Sequence, residues 1–210
     1  MDDVTSSPYL APYLAAARKF GGQFPSLLWA SPVTQGRRFE AICRLADPSG
    51  QSLLDVGCGR ADLLTFCVER NRRPADYVGI EAVPALAAAA EATAARVGDA
   101  TIVRADFVAD PARMFVAADV VAFSGSLNTL ATSTFHEVLA KAYDATAHAL
   151  VFNFLAGPGL AAASYLTWHR PTDVLSFVAA RLSPTPASVR TLDDYLEGDV
   201  TVVVEKPDER

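Results

Sequence analysis

The chain has 210 residues, a length typical of one domain or of one domain with a small cap. Hydrophobic residues make up 51% and charged residues 20% of it, which is the composition of a globular protein and argues against intrinsic disorder. The formal net charge is −6, and because a negative field repels a polyphosphate backbone, this charge disfavours a nucleic-acid partner.

The cysteines and the start of the chain indicate a reducing environment. Cys43, Cys58 and Cys67 form no C-x-x-C pair and no even framework, so disulfides and a structural zinc site are not expected. The chain starts Met1-Asp2-Asp3, whereas a secretory signal starts with basic residues, so we predict a cytoplasmic protein. No pair of histidines or carboxylates has a recognisable ligand spacing, and no metal is predicted.

The first fifty residues are predicted to form helical pieces that are too short for a core of their own. They carry five large aromatic residues and four prolines, namely Tyr9, Tyr13, Phe20, Phe24, Trp29, Pro8, Pro12, Pro25 and Pro32. Because such a segment is too aromatic for an idle tail, we expect residues 1–50 to cover a substrate pocket as a cap.

From residue 52 onward, short apolar runs alternate with segments of helical pattern. The predicted strands are 52–56, 77–80, 101–103, 120–123 and 149–152, and the predicted helices are 62–70, 84–96 and 135–147. Apolar runs separated by helices are typical of a parallel sheet built from βαβ units. A helix over 173–182 and strands over 188–192 and 200–204 follow, and the two strands are expected to form an antiparallel pair at one edge.

Residues 149–168 carry no formal charge and are about as many as a membrane-spanning helix contains. Asn153 and the sequence Gly157-Pro158-Gly159 interrupt this stretch, and a proline between two glycines ends a regular element. The stretch therefore predicts a buried strand followed by a loop, and no membrane association.

A glycine-rich loop and two acidic residues mark one edge of the predicted sheet. Asp55-Val56-Gly57-Cys58-Gly59 joins the first strand to its helix, where glycines let a ligand approach the backbone and the helix offers free N–H groups. Glu81 ends the second strand, 22 positions after Gly59, where a carboxylate can accept both hydroxyls of a ribose. Asp106 ends the third strand, where a carboxylate can accept the amino group of an adenine.

These segments resemble the first three motifs of class I S-adenosylmethionine-dependent methyltransferases, and the resemblance covers residues 50–205. It implies an α/β fold, a Rossmann-like three-layer sandwich with a seven-stranded, mostly parallel sheet, in which residues 51–210 bind S-adenosylmethionine. By this analogy the glycine loop faces the methionine part of the cofactor, Glu81 the ribose, and Asp106 the adenine. The cofactor residues implied in this way are Asp55, Gly57, Cys58, Gly59, Glu81, Ala82, Asp106, Phe107, Ser124 and Gly125. This sequence has Ala61 where the family has a third glycine, and Arg60 has no assigned role.

A nicotinamide-dependent oxidoreductase is the main alternative. Its G-x-G-x-x-G pattern needs a glycine at position 62, where this chain has Asp62, a residue suited to the first turn of a helix. A non-catalytic relative of the same fold, and a protein methyltransferase that attracts a basic peptide, are further alternatives.

The acceptor end of the predicted pocket is defined less well than the cofactor end. Arg38 is the candidate for the carboxylate of methionine, with Gln35 or Arg37 assisting, although the two arginines are equally consistent with a solvated helix face. Ser124-Gly125-Ser126-Leu127-Asn128 follows the fourth strand, where the family places the reacting centre. The segment lacks the Asn-Pro-Pro-Tyr motif associated with methylation of the amino groups of adenine or glutamine, which further disfavours a nucleic-acid substrate.

Methyl transfer from a sulfonium needs mainly positioning and exclusion of water, and a base only for a protonated acceptor. His136 and His148 are expected to be structural. His169 and Tyr165, in the loop after Gly159, are the candidate catalytic residues. The candidate substrate-binding residues are Tyr13, Trp29, Asn128 and Trp168. The sequence therefore predicts methyl transfer to a small apolar or aromatic molecule.

Overall fold

The structure is a computed structural model that describes residues 7–159, 161–182 and 189–207. The helices are α1 (Ala11–Phe20), α2 (Pro32–Leu45), α3 (Asp62–Glu69), α4 (Pro84–Val97), α5 (Thr132–Ala145) and α6 (Pro171–Arg181). The strands are β1 (Ser52–Val56), β2 (Asp76–Glu81), β3 (Ala100–Arg104), β4 (Val120–Phe123), β5 (Ala149–Leu155), β6 (Val189–Leu192) and β7 (Asp199–Glu205). Within these ranges, no helix has the length and apolar character needed to cross a membrane.

The seven strands form one sheet in the order β3-β2-β1-β4-β5-β7-β6. The first five strands are parallel, while β7 pairs antiparallel with both β5 and β6. This arrangement confirms the predicted fold class, a Rossmann-like sheet closed by an antiparallel pair. The strand order reverses between β1 and β4, and in open α/β sheets the carboxyl ends at such a point flank a ligand-binding crevice.

Each predicted strand and helix is present, with ends that differ by a few residues. The uncharged stretch that begins at residue 149 is a fully buried strand, β5, and the residues described between β5 and α6 form a loop, as predicted. Ser188, the predicted first residue of β6, lies outside the described residues.

The sheet has an apolar core on each face. On one face α5 and α6 pack against the strands through residues such as Phe135, Leu139 and Val178. On the other face α2, α3 and α4 contribute residues such as Phe39 and Phe66. The chain is thus a three-layer sandwich in which a helix from the first fifty residues belongs to one of the outer layers.

The helix α2 lies within residues 1–50, the segment predicted to be a cap, and packs as part of the sandwich. Ser31 and Thr34 form a capping box at the start of α2, which satisfies backbone N–H groups at its first turn. The helix then packs against β5 and β7 and buries Phe39 and Ile42 in the core of the sandwich. Only residues 7–30, which comprise α1 and a 3₁₀ turn over Phe24–Leu27, remain as a cover.

The cover rests on the amino-terminal end of α4. Leu27 packs with Val83 and Leu86 in a small separate apolar cluster, and Tyr13 packs against its edge. Gly22 lies so close to α4 that a Cβ there would be 2.6 Å from the carbonyl oxygen of Ala85. The cover is therefore held by apolar contacts with α4, close to the carboxyl end of β2.

Candidate functional site

A cavity of about 310 Å³ lies between the carboxyl edge of the sheet and the cover. From the sheet side it is lined by Gly57, Gly59, Glu81, Ala82, Val83, Leu86, Phe107, Ser124, Gly125, Ser126, Asn128, Thr129 and Leu155. From the cover, α2 and the later loops it is lined by Tyr9, Leu10, Tyr13, Leu27, Leu28, Trp29, Ala30, Thr34, Arg38, Leu166 and Leu196. One cavity thus joins the ends of five neighbouring strands, β1 to β5.

The glycine loop after β1 adopts a left-handed backbone at three positions. Gly57, Gly59 and Ala61 have φ angles of 74°, 59° and 58°. A Cβ at Gly57 would overlap the side chain of Ser126, so only glycine fits between these two segments. Ala61, the residue in place of the family's third glycine, retains the left-handed conformation and is fully buried before α3.

Glu81 connects the loop, the second strand and α4. One carboxylate oxygen accepts the backbone N–H of Gly59 at 2.9 Å, and the other accepts that of Val83 at 2.7 Å. The residue is 6% exposed, and burial raises the pKa of its carboxyl group to about 7, although the backbone N–H groups oppose the rise. Each oxygen keeps a lone pair for a further donor, and the side chain lines the cavity.

Asp55 and Cys58 lie behind the loop and are not among the residues that line the cavity. The carboxylate of Asp55 accepts the hydroxyl of Tyr77 at 2.7 Å, and burial raises the pKa of Asp55 to about 7. The sulfur of Cys58 packs against Gly79, where a Cβ would be 2.7 Å away from it. Both residues therefore support the loop from behind, and their role as cofactor contacts stays a prediction.

Asp106 is engaged by both its own turn and the cover. One carboxylate oxygen accepts the N–H groups of Val108 at 2.9 Å and Ala109 at 3.3 Å. The other accepts the hydroxyl of Tyr9 at 2.6 Å. Phe107, next in the chain, lines the cavity. Asp106 is not among the lining residues, but its hydrogen-bond partner Tyr9 is. The contact with Tyr9 was not predicted, since nothing in the sequence pairs residues 97 positions apart.

Arg38 lines the cavity but is already paired. Its Nε donates to the carboxylate of Asp199 at 2.6 Å, and its Nη2 donates to the same oxygen. Its guanidinium lies over the ring of Trp29, 4.6 Å from the ring centroid. Asp199 also accepts the hydroxyl of Tyr195. Arg38 thus belongs to a buried hydrogen-bonded network and does not lie on a solvated helix face, the alternative that the sequence left open.

The two residues expected to assist Arg38 do not join it. The side-chain amide of Gln35 donates to Asp62 at 3.2 Å, near the start of α3. Arg37 is exposed. Asp199 begins β7, and the sequence contains no signal that would pair it with a helix 161 positions earlier.

The cover contacts the sheet edge at two glycines. A Cβ at Gly59 would be 2.6 Å from Leu27, and one at Gly125 would be 2.9 Å from Trp29. Tyr13 lines the same cavity, and burial raises the pKa of its hydroxyl above the usual range. Trp29 and Tyr13, both predicted to contact substrate, therefore lie beside the cofactor candidates.

Two polar residues after β4 line the cavity, and each also carries a buried, unpaired atom. Ser124 Oγ and Asn128 Oδ1 are buried and have no hydrogen-bond partner among the described residues. The side chain of Asn153 on β5 accepts the N–H of Gly125 at 2.8 Å and so fixes the backbone between them. Polar groups that are buried without a partner are uncommon in folded proteins and often mark a functional site.

The structure separates His169 and Trp168 from this cavity. Both line a second cavity of about 200 Å³ together with His136. The backbone N–H of His169 donates to Leu155 at 2.9 Å, and its ring stacks on Phe135 at a centroid distance of 4.2 Å. These contacts place the imidazole in the second cavity, whereas the candidate catalytic role of His169 assumes a position in the larger one.

Tyr165 is 38% exposed and is not among the residues that line the larger cavity. It is nevertheless near the cavity, since its hydroxyl contributes to the raised pKa of Tyr13, and its neighbour Leu166 lines the wall. Arg60, which has no role assigned from the sequence, lies 3.7 Å from the carboxylate of Asp62 and is partly exposed.

Neither the protein-family models nor the curated proteins include a match to this chain. Solved structures do match. Magnesium protoporphyrin IX methyltransferase from Synechocystis PCC 6803, with SAH bound, is 12% identical over 96% of this chain and 100% of its own, at a TM-score of 0.69. A complex of a methyltransferase activator with a putative methyltransferase from Haloferax volcanii matches at 12% identity over 94% and 99% of the two chains, at a TM-score of 0.68.

A third similar structure is an O-methyltransferase family 2 protein from Planctomyces limnophilus in complex with apigenin. It is 18% identical over 82% of this chain and 59% of its own, at a TM-score of 0.60. At these identities the comparisons show the fold alone, and that fold is the Rossmann-like fold of class I methyltransferases.

Proposed function

We propose that this chain is an S-adenosylmethionine-dependent methyltransferase that acts in the cytoplasm on a small apolar or aromatic acceptor. The observation that carries the proposal is the contact of Glu81 with the N–H of Gly59 inside the cavity. It brings a carboxylate suited to ribose hydroxyls and a loop suited to close backbone approach to the same side of one pocket.

The cavity offers a distinct place for each part of the cofactor. Apolar residues at the ends of β2 and β3, among them Ala82, Val83 and Phe107, suit the adenine ring. The remaining lone pairs of Glu81 suit the ribose hydroxyls, and the glycine loop leads from there toward Arg38. When bound, the cofactor supplies an electrophilic methyl group on a sulfonium.

The pairing of Arg38 with Asp199 limits how it can hold a carboxylate. Asp199 uses Nε–H and one N–H of Nη2, which leaves the second N–H of Nη2 and the two N–H groups of Nη1 as donors. The cofactor carboxylate would therefore share the guanidinium with Asp199. Arg38 nevertheless remains the cationic residue that lines this cavity within the described part of the chain.

The residues of the chain act mainly by positioning reactants and excluding water. The cover places Leu27 and Trp29 directly against the glycines of two strand ends and so covers part of the cavity. Holding the reactants at attack distance, with little water between them, supplies much of the rate acceleration of a displacement at a methyl group.

The acceptor wall indicates a small molecule with an apolar surface. Trp29, Leu155, Leu166 and Leu196 face the cavity near the residues that follow β4. A volume of about 310 Å³ under a packed cover holds a cofactor and a compact acceptor more readily than a segment of polymer. Two structures of similar fold bear names that refer to magnesium protoporphyrin IX and to apigenin.

Calorimetric titration with S-adenosylhomocysteine and with NADH tests the cofactor. We expect S-adenosylhomocysteine to bind and NADH not to bind, and we expect Glu81→Ala to weaken the former. Arg113→Ala is a matched control, since Arg113 forms an exposed ion pair with Asp110 outside the cavity. Tight binding of NADH without binding of S-adenosylhomocysteine would establish the nicotinamide alternative instead.

A further inference from the structure

We propose that Asp199, at the start of β7, is a positioning residue that orients the guanidinium of Arg38 toward the carboxylate of the cofactor. The inference rests on the proposed binding of S-adenosylmethionine and adds the way in which this pocket selects a ligand with a carboxylate. Asp199 is not among the described residues that line the cavity, so it acts through Arg38, which does line it.

One edge of the Arg38 guanidinium is held by a single carboxylate oxygen. Its Nε–H, at 2.6 Å, and one N–H of Nη2 both donate to Asp199 Oδ2. The other oxygen, Oδ1, accepts the hydroxyl of Tyr195, which also lies 2.7 Å from Thr201 Oγ1. Asp199 is 1% exposed and both of its oxygens are engaged, so the carboxylate holds this edge in one direction.

The face of the same guanidinium lies on Trp29, at 4.6 Å from Arg38 Cζ to the ring centroid. Trp29 is held in turn by residues of the sandwich. The ring of Phe39 packs against it edge to face, with centroids 6.5 Å apart, and a Cβ on Gly125 would be 2.9 Å from it. A planar cation that is held along one edge and on one face cannot turn freely, so its remaining donors have a fixed direction.

The opposite edge of the guanidinium keeps its donors. A guanidinium has five N–H groups, and the second N–H of Nη2 and both N–H groups of Nη1 are not used by Asp199. Nη1 has no hydrogen-bond partner among the described residues, yet it is not one of the buried atoms without a partner, so it is accessible. Because Arg38 is otherwise buried and lines the cavity, this accessible group faces the cavity.

One N–H of Nη1 and one of Nη2 lie side by side and match the two oxygens of a carboxylate. Asp199 already compensates much of the positive charge of Arg38, so a second carboxylate is attracted mainly by these directed N–H groups. Direction therefore matters more than net charge at this position. A lysine would not replace the arginine, because its ammonium is a point charge without a paired set of N–H groups.

A matched pair of ligands tests the inference by calorimetry on the full chain. S-adenosylhomocysteine is compared with decarboxylated S-adenosylhomocysteine, which lacks only the carboxylate. The unmodified chain should prefer the first ligand by about tenfold to a hundredfold, the range expected for hydrogen bonds to a charged group. The ratio of the two affinities cancels any general loss of binding, so a merely structural role of Asp199 would leave it unchanged.

Three variants separate direction from charge. Arg38→Lys keeps the charge and loses the paired N–H groups, so the preference should fall at least about fivefold. Asp199→Ala releases the guanidinium and should lower the preference by a similar factor. Asp199→Asn keeps an oxygen for Arg38 and offers an amide N–H to Tyr195. It should therefore keep or increase the preference, since it also removes a competing charge.

Asp194→Ala is the matched control. Arg44 and Asp194 form an exposed ion pair, 3.8 Å apart, between the same helix α2 and the segment that follows β6. Neither is among the described residues that line the cavity. This variant should leave the preference unchanged, because it removes a contact between α2 and the β6–β7 hairpin without freeing the guanidinium of Arg38.

The outcomes distinguish this inference from the function on which it rests. The inference is overturned if the unmodified chain binds both ligands equally, if Arg38→Lys keeps the full preference, or if Asp199→Asn loses it. In each of these cases S-adenosylhomocysteine binds and the cofactor proposal stands. If Asp199→Ala does not fold, the ratios of Arg38→Lys and Asp199→Asn decide. If S-adenosylhomocysteine does not bind the unmodified chain, the proposed function fails and the inference fails with it.

Discussion

The ionisation of Glu81 gives the affinity for cofactor a specific dependence on pH. Burial raises the pKa of this carboxyl group from 4.5 to about 7 in the protein without cofactor. Ribose hydroxyls donate most strongly to the ionised carboxylate, so binding favours the deprotonated form. The affinity for S-adenosylhomocysteine should therefore rise about tenfold per pH unit below 7 and become constant above it, a total of about thirtyfold between pH 5.5 and 8.

The same pKa affects the stability of the protein without cofactor, with the opposite sign. Because one pKa unit corresponds to about 1.4 kcal/mol, keeping Glu81 ionised costs the folded state up to about 3 kcal/mol. The unfolded chain releases this proton near pH 4.5 and the folded chain near pH 7, so the folded state binds more protons between these values. The free energy of unfolding should therefore fall as pH rises from 4.5 to 7. Asp55, whose pKa is also raised to about 7, adds to the fall.

Calorimetric titration from pH 5.5 to 8, in two buffers of different ionisation enthalpy, measures both the affinity and the protons released on binding. Glu81→Gln should bind more weakly and without this pH dependence. Asp55→Asn is the matched control, because Asp55 is buried behind the loop and does not line the cavity. It should keep a pH dependence whose midpoint is lower, since the charge of Asp55 contributes to the raised pKa of Glu81. An affinity that is constant over this range, or that is higher at pH 5.5, would refute the role given to Glu81.

Three substitutions test other parts of the site. Tyr9→Phe frees one oxygen of Asp106 for the adenine amino group, so S-adenosylhomocysteine should bind up to about fivefold tighter. The free energy of unfolding should fall by about 1 kcal/mol, because a hydrogen bond is lost. Weaker binding in calorimetry would show that the Tyr9 hydroxyl does not compete with adenine for Asp106. Arg38→Ala leaves Asp199 buried without its cation and should lower the free energy of unfolding in urea by about 3–5 kcal/mol. The double variant Arg38→Ala with Asp199→Ala should recover part of that loss. If it recovers none, the two residues do not form a paired network. Gly57→Ala forces a side chain into a left-handed backbone beside another segment and should abolish calorimetric binding, whereas retained affinity would show that the loop does not approach the cofactor.

The sequence is sufficient to predict the sheet and the meeting of the glycine loop with Glu81. Parallel strands place their carboxyl ends at one edge, so residues at strand ends that are distant in the chain, such as Gly57, Glu81 and Ser124, must meet. The local pattern of apolar runs fixes those strand ends to within a few residues, and the glycine loop and the carboxylate of Glu81 consequently come together as predicted.

The rest of the site depends on contacts that leave no local pattern in the sequence. Arg38 with Asp199 and Tyr9 with Asp106 join residues separated by 161 and 97 positions. The loop after β5 lacks the periodicity that would fix which residues face inward, and stacking on Phe135 places His169 in a different cavity from the one expected.

A crystal structure of the full chain with S-adenosylhomocysteine tests the central claim most directly. The account predicts both ribose hydroxyls within hydrogen-bond distance of the Glu81 carboxylate, the adenine against Phe107, and the sulfur facing Ser124 and Asn128. A ligand bound outside the cavity, or one whose ribose does not contact Glu81, would contradict it.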